Sequence, residues 1–326
     1  MKEIYYIEAI REALIEEMER DEKVFLMGED IGVYGGAFGV TKGLLKRFGK
    51  ERVIDTPMSE AAITGIATGA AIGGMRPVVE IMFMDFITLA IDQILNHAAK
   101  FRYISNGQLN VPLVIRTPMG AGRGYGATHS QSLESMLITI PGIKIVAPSS
   151  PYDAKGLLKS SIRDNNPVIF LEGKRLYGVK GNVPEGDYTI PLGKAEIKLK
   201  GKDITIISYS IGTKLALDSV NELKKEGINP EIIDIRTISP LDTETIFKSI
   251  KKTGKAIVIE EGCKTGGVGA EIVSRIAEKK FYSLKYPIRR IASEDLPLPC
   301  APNLENAIIP TREKIIKAIK EMVDEL

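Results

Sequence analysis

The chain reads as an α/β protein built from two consecutive three-layer α/β/α domains. Three features lead there. Short unbroken apolar runs such as Val24-Phe25-Leu26-Met27, Val111-Pro112-Leu113-Val114-Ile115 and Ile204-Thr205-Ile206-Ile207 recur along it, and strands buried on both faces read this way. Stretches of helical period alternate with those runs, the pattern of a parallel sheet covered by helices. At 326 residues the chain is too long for one typical domain, and Gly181, Pro184, Gly186, Pro191 and Gly193 interrupt residues 179–202. The expected division is 1–180, a linker with short strands at 181–202, and 203–326.

The first helix covers residues 5–20, with Tyr6, Ile10, Leu14 and Met18 on one face. The strand at 24–27 ends in Gly28-Glu29-Asp30 and a glycine-rich loop, Gly32 to Gly39. That loop lacks the spacing of a phosphate-binding fingerprint.

Next comes Asp55-Thr56-Pro57-Met58-Ser59-Glu60-Ala61-Ala62, which opens a helix expected over 58–74. Thr56 suits the N-cap and Pro57 the first helical position. Glu60 falls in the first turn, where a carboxylate complements the helix dipole. Gly65, Gly69 and Gly73 recur every fourth residue and form one bare stripe. Glycine costs about 1 kcal/mol relative to alanine inside a helix, so the stripe suggests another backbone passing close by. On that reading Glu60 is buried at a tight crossing, where a carboxylate needs a partner or takes up a proton.

Pro77-Val78-Val79-Glu80-Ile81-Met82 is the next strand. A helix expected over 87–101 turns Ile87, Ala90, Ile91, Ile94, Leu95, Ala98 and Phe101 inward, and His97 reads as a packed or interface histidine. The strand at 111–116 runs into Thr117-Pro118-Met119-Gly120-Ala121-Gly122-Arg123-Gly124-Tyr125-Gly126, whose alternating glycines read as a mobile loop. His129-Ser130-Gln131-Ser132 follows, with Ser130 placed to cap a helix over 131–138. An imidazole at a helix head is disfavoured as a cation, so His129 is either a catalytic group or a brace for the loop.

Strands at 144–147 and 168–171 flank a helix over 151–163. Beyond the junction, strands at 204–207, 232–235 and 256–259 alternate with helices near 212–226, 243–252, 268–279 and 311–324. Glu261-Gly262-Cys263-Lys264-Thr265-Gly266-Gly267-Val268-Gly269 joins a strand to a helix; its glycines either hold an anion at the helix start or let the chain turn, and the turn is the simpler reading.

Hydrophobic content of 44%, charged content of 26% and a formal net charge of +2 describe an ordinary soluble protein with no basic block for nucleic acid. No apolar run is long enough for a bilayer, and no export signal precedes the first helix, so a cytoplasmic location is expected. Cys263 and Cys300 lack metal-ligand spacing and read as plain thiols.

Several stretches, taken in order, carry a family resemblance: Asp55-Thr56-Pro57-Met58-Ser59-Glu60, Ala90-Ile91-Asp92-Gln93, Arg116-Thr117-Pro118-Met119-Gly120, His129-Ser130-Gln131-Ser132, Pro148-Ser149-Ser150-Pro151-Tyr152-Asp153-Ala154-Lys155-Gly156-Leu157-Leu158 and Asp234-Ile235-Arg236-Thr237-Ile238-Ser239-Pro240-Leu241-Asp242. Over nearly its whole length the chain resembles the β subunit of the thiamine-diphosphate-dependent decarboxylase component of 2-oxo acid dehydrogenase complexes. Pyruvate, branched-chain 2-oxo acid and acetoin dehydrogenases belong to that family.

The resemblance implies an N-terminal pyrimidine-binding domain and a C-terminal transketolase-like domain. It implies that Glu60 hydrogen-bonds the ring nitrogen of the cofactor's aminopyrimidine, that Phe86 stacks on that ring, and that Met58 and Met82 line the pocket. It makes His129 the histidine that assists acyl transfer to a lipoyl group. Glu29 and Asp92 match acids that form a relay between two sites in some members; Leu89 stands where those members have a further glutamate, so the relay is expected to be incomplete or absent. A potassium ion held by Ser161, Ile162, Asp164, Asn166 and the carbonyl of Leu113 is a further implied feature.

Magnesium binding of a diphosphate in this family uses Gly-Asp-Gly, and this chain has none. The resemblance therefore implies an α subunit carrying that half of the site with Mg2+, an α2β2 heterotetramer, and a lipoyl acyltransferase core docked by the C-terminal domain. The rivals are a non-catalytic assembly subunit and a split transketolase. The latter needs basic and histidine clusters for sugar phosphates, and the chain has 2 histidines.

Overall fold

The computed structural model describes residues 1–324. They divide into two compact units, one of residues 1–119 with 136–192, the other of residues 120–135 with the chain from Gly193 onward. Segment 120–135 thus leaves the N-terminal portion of the chain and packs with the second unit.

In the first unit, β1 (Lys2–Tyr5) runs directly into α1 (Tyr6–Arg20), whose face of Tyr6, Ile10, Leu14 and Met18 is buried as its period requires. β2 (Val24–Gly28), α2 (Leu44–Phe48), β3 (Val53–Asp55), α3 (Glu60–Ile72) and β4 (Arg76–Glu80) follow. The N-cap of α3 is Ser59, without a side-chain cap bond. Thr56 and Pro57 therefore lie outside the helix, contrary to the capping expected for them. Glu60 remains in the first turn.

The single helix expected over 87–101 is not formed. A 3-10 segment, Met84–Ala90, passes into a π-helical segment, Gln93–Ala98, and then α4 (Phe101–Ile104). Ile87, Ala90, Ile94 and Ala98 are buried along this path all the same.

β5 (Val114–Met119) is followed by α5 (Glu134–Leu137), a single short turn in place of the helix expected over 131–138. β6 (Lys144–Val146), α6 (Pro151–Arg163), β7 (Val168–Gly173) and β8 (Lys180–Val183) complete the unit. Ser150 caps α6 through the N–H of Asp153, with Pro151 at the first position.

Along α6, Lys155 and Lys159 are almost fully buried and each pairs with Glu16 of α1, at 2.6 Å and 2.5 Å. Arg163 pairs with the buried Glu17 at 2.7 Å. The strands lie in the order β6-β7-β5-β4-β2-β3, every neighbouring pair parallel. β1 and β8 form a separate antiparallel pair.

In the second unit, β9 (Glu196–Leu199), β10 (Ile204–Ser208), α7 (Ser210–Lys225), β11 (Pro230–Asp234), β12 (Thr237–Ser239), α8 (Thr243–Thr253), β13 (Ala256–Cys263), α9 (Val268–Lys280), β14 (Arg289–Ser293), α10 (Pro302–Ile308) and α11 (Arg312–Asp324) alternate as expected. The sheet order is β14-β13-β10-β11-β9, parallel except for β9, the polar strand of the junction. Its apolar strands are buried throughout. Among the described residues, no helix is long and apolar enough to cross a membrane.

Candidate functional site

In an open parallel sheet, ligands bind beyond the carboxyl ends of the strands, where the strand order reverses. In the first unit β2 lies between β3 and β4. The chain leaves β2 toward β3 on one side and leaves β4 toward β5 on the other, so the reversal falls between β2 and β4.

Glu29 follows β2, Glu60 follows β3, and Met82 and Phe86 follow β4. Gly28 sits beside β4 with no room for a side chain: a Cβ there would lie 2.7 Å from the Glu80 carbonyl oxygen. Asp55, at the end of β3, accepts the N–H of Gly32 at 2.6 Å and folds the glycine-rich loop back over the strand ends. That loop is thus tied to a carboxylate of the chain.

Glu29 is half-buried, with one carboxyl oxygen that is fully enclosed and has no hydrogen-bond partner. Burial first, then the nearby charge of Glu60 and of Asp30, pushes its pKa up. The structure therefore places Glu60 near enough for its charge to act on Glu29. Glu60 itself is half-exposed rather than buried, which corrects the expectation of a covered crossing.

On α3, Gly69 and Gly73 are exposed, Ile66 is 60% exposed, and Met58 just ahead of the helix is 84% exposed. Only at Gly65 does a neighbouring element approach, with Gln93 Oε1 3.1 Å from a built Cβ. Gly69 and Gly73, two of the three glycines of the stripe, are thus bare in this chain.

Phe86 and Met82 are half-buried. The Phe86 ring meets Phe83 edge-on at 6.0 Å; Phe83 meets Phe38 at 5.6 Å, and Phe38 meets Tyr177 at 5.2 Å. Tyr177, at one end of this aromatic row, belongs to a charge network that sequence reasoning missed. Arg116, 2% exposed, pairs with Glu80 at 2.8 Å and Glu172 at 2.7 Å, and Tyr177 donates to Glu172 at 2.7 Å. Burial outweighs the Arg116 charge and raises the Glu172 pKa. Glu80 and Glu172 stand at or near the C-terminal ends of β4 and β7, with Arg116 midway along β5 between them; charged residues inside otherwise apolar strands were the available signal.

Asp92, proposed for a relay, is exposed; it accepts from Asn96 at 2.6 Å and faces His97 Nε2 at 3.7 Å. His97 also lies against Phe101, with ring centroids 5.8 Å apart.

His129 belongs to the second unit. It precedes α5 by five residues, so it does not stand at a helix head, and the dipole argument for it lapses. Thr128 Oγ1 lies 3.0 Å from its Nδ1. The loop leading to it is tied down rather than free: Glu261 accepts the N–H of Ala121 at 3.3 Å and Glu305 that of Gly122 at 2.9 Å. Beside the loop lies a cavity of about 370 Å³ lined by Ala127, Gln131, Ser132, Glu261 and Asp295 among others.

At the head of α9, Glu260 accepts the N–H of Gly269 at 2.8 Å. A Cβ at Gly267 or Gly269 would lie 2.6 or 2.4 Å from that carboxyl group. The acidic group at this helix start is the chain's own.

The family model described as Transketolase, pyrimidine binding domain, matches residues 2–180, and Transketolase, C-terminal domain, matches residues 193–315. The chain is 46% identical to the 2-oxoisovalerate dehydrogenase subunit beta of Bacillus subtilis, over 99% of this chain and all of that relative. It is 49% identical to the pyruvate dehydrogenase E1 component subunit beta of Gracilaria tenuistipitata, with the same coverage.

This chain belongs to the E1 β-subunit family of 2-oxo acid dehydrogenases.

The same two-domain architecture occurs in a split gene transketolase described as an inactive beta4 tetramer, at a TM-score of 0.81 and 21% identity over 98% of each chain. In this E1 β subunit the loop at 161–166, expected to hold potassium, is engaged by the chain itself. Arg76 donates to the carbonyls of Ile162 at 2.8 Å and Asp164 at 3.1 Å, and to Asn165 Oδ1 at 2.8 Å. The Leu113 carbonyl accepts from Val168 and that of Ser161 from Asp164. The Asp164 carboxylate binds Lys144 and Asn166. Among the described residues, no cluster of three or more His, Cys, Asp or Glu could hold a metal.

Proposed function

We propose that this E1 β subunit supplies the pyrimidine half of a shared thiamine diphosphate site, working with an α subunit in an α2β2 heterotetramer that delivers acyl groups to a lipoyl acyltransferase core. The observation that carries the reading is the meeting of Glu60 and Glu29 at the reversal point of the sheet, with an enclosed Glu29 oxygen left without a partner. Such an atom calls for a polar group from outside the chain. Thiamine diphosphate, when bound, supplies the carbon nucleophile and the electron sink that decarboxylation of a 2-oxo acid needs.

The residues of this chain fit their side of that site. Glu60, at the head of α3, exchanges a proton with the ring nitrogen of the pyrimidine. Glu29 stands beside Glu60, its own carboxyl held toward the protonated form by burial and by the Glu60 charge. Phe86 offers a ring face and Met58 and Met82 line the pocket wall. Met58 and the bare stripe of α3 are open in the single chain, as a surface awaiting the α subunit would be. His129 holds or gives a proton as the acyl group passes to the lipoyl sulfur.

Magnesium belongs on the α subunit, since this chain has no Gly-Asp-Gly. A potassium ion at 161–166 would have to share carbonyls already engaged by Arg76 and Val168, so no step is derived through it. The second unit is assigned the contact between β subunits and the docking of the core.

The isolated chain is expected to decarboxylate nothing, and an α partner with magnesium to restore turnover. Glu60→Gln in that assembly should lower turnover by at least about 10²-fold, the size of a proton-transfer contribution. Near-normal turnover of this variant would overturn the assignment. Comparing pyruvate with 3-methyl-2-oxobutanoate identifies the substrate.

A further inference from the structure

We propose that Glu261 and Glu305 are positioning residues for His129: they pin the head of its loop and thereby set where the imidazole stands. The inference rests on the acyl-transfer reading of His129.

Both carboxylates lie in the second unit with the loop. They come from separate elements, the end of β13 and α10, yet they take the N–H groups of two consecutive residues, Ala121 and Gly122. Glu305 is 3% exposed and Glu261 7%. Burying a carboxylate is costly unless hydrogen bonds replace its water, and a charged acceptor makes the stronger bond. Loop and acids therefore hold each other.

The glycines of this loop serve that contact. Gly120 adopts φ +91°, and a Cβ on it would lie 2.0 Å from Glu261 Oε2, so no side chain fits there. Gly124 and Gly126 also have positive φ, and lie against the Cys300 carbonyl and thiol at 2.9 and 2.7 Å from a built Cβ. The alternating glycines let the backbone lie flat on the second unit.

The tie reaches past the histidine. The N–H of Gly120 donates to the carbonyl of Gln131 at 3.1 Å, two residues beyond His129. Five residues beyond it, Glu134 accepts the Tyr209 hydroxyl at 2.6 Å. His129 is thus suspended between two anchored ends, and the anchor at the head consists of Glu261 and Glu305. Misplacement of a catalytic group by about 1 Å can cost about 10²-fold in rate.

The test uses the chain reassembled with its α partner and magnesium. Two rates are measured on a 2-oxo acid: acyl transfer to a lipoyl domain, and decarboxylation with an artificial electron acceptor. Amide exchange is followed at Ala121, Gly122 and Gly124. Glu305→Ala should lower the ratio of the first rate to the second by about 10-fold, part of the range that misplacement commands, and should speed exchange at those amides. Glu305→Gln keeps an acceptor oxygen and should recover most of the ratio.

A Glu305→Ala protein with unchanged ratio and exchange overturns the proposal, as does a Gln variant impaired as much as the Ala variant. His129→Ala is run in parallel. If it spares acyl transfer, the reading of His129 fails, and exchange in the Glu305 variants still decides whether the acid anchors the loop.

Discussion

Glu260 is an acid that the second unit keeps partly protonated near neutral pH. Burial raises its pKa to about 7; the charge of Glu134 adds to the shift, while the N–H groups of Gly269 and Val268 and the Arg290 charge oppose it. A folded-state pKa above the unfolded one means that stability is fully present below pH about 4.3, the unfolded value, and is lost as pH rises through 7. At about 1.4 kcal/mol per pKa unit, the loss is on the order of 3 kcal/mol. Glu260→Gln should therefore raise the melting temperature at pH 8 and change it little at pH 4.5; melts at the two pH values check this.

The Arg116 network calls for the opposite experiment. Arg116→Ala leaves Glu80 and Glu172 buried without their cation, which should cost about 3–5 kcal/mol in urea unfolding. Glu60 and His129 could be proposed from the linear chain because local motifs surround them. Arg116, Glu80 and Glu172 were not, because only sheet order makes neighbours of residues at 80, 116 and 172.

Among the elements, α3 carries the clearest conflict between local stability and assembly. A Cβ built on Gly69 meets nothing within 4 Å in this chain. Gly69→Ala should therefore stabilise the isolated chain by about 1 kcal/mol, the helix-propensity difference. Chemical denaturation measures that gain. The same methyl group should weaken association with the α subunit, read by titration of the two chains. Stronger association would show that α3 is not the crossing surface.

The stripe was visible in the sequence, since a period of four needs no tertiary information. The winding of 84–104 was not. Its apolar residues also fit one continuous helix, so their spacing carries no trace of the tight-then-wide path.

The two units of the whole chain are built discontinuously, and this has a cost for any fragment. A chain starting at Gly193 lacks segment 120–135. Tyr209, 1% exposed, then loses the Glu134 oxygen, and Glu261 and Glu305 lose their amide donors. Such a fragment should keep far-UV circular dichroism but lose the near-UV signal and its cooperative melt. A sharp melt with native near-UV signal would contradict the division.

By itself the sequence determined the alternation of strands and helices and the family, and it offered Glu60 and His129 as candidates. Each of these depends on periodicity or short motifs, which are local along the chain. Tertiary structure alone decided that the loop of His129 belongs to the second unit, that Glu29 stands near Glu60, and that Arg76 occupies the carbonyls of the 161–166 loop. Those depend on pairings between residues 31 to 183 positions apart, and such contacts leave no periodic trace in either partner.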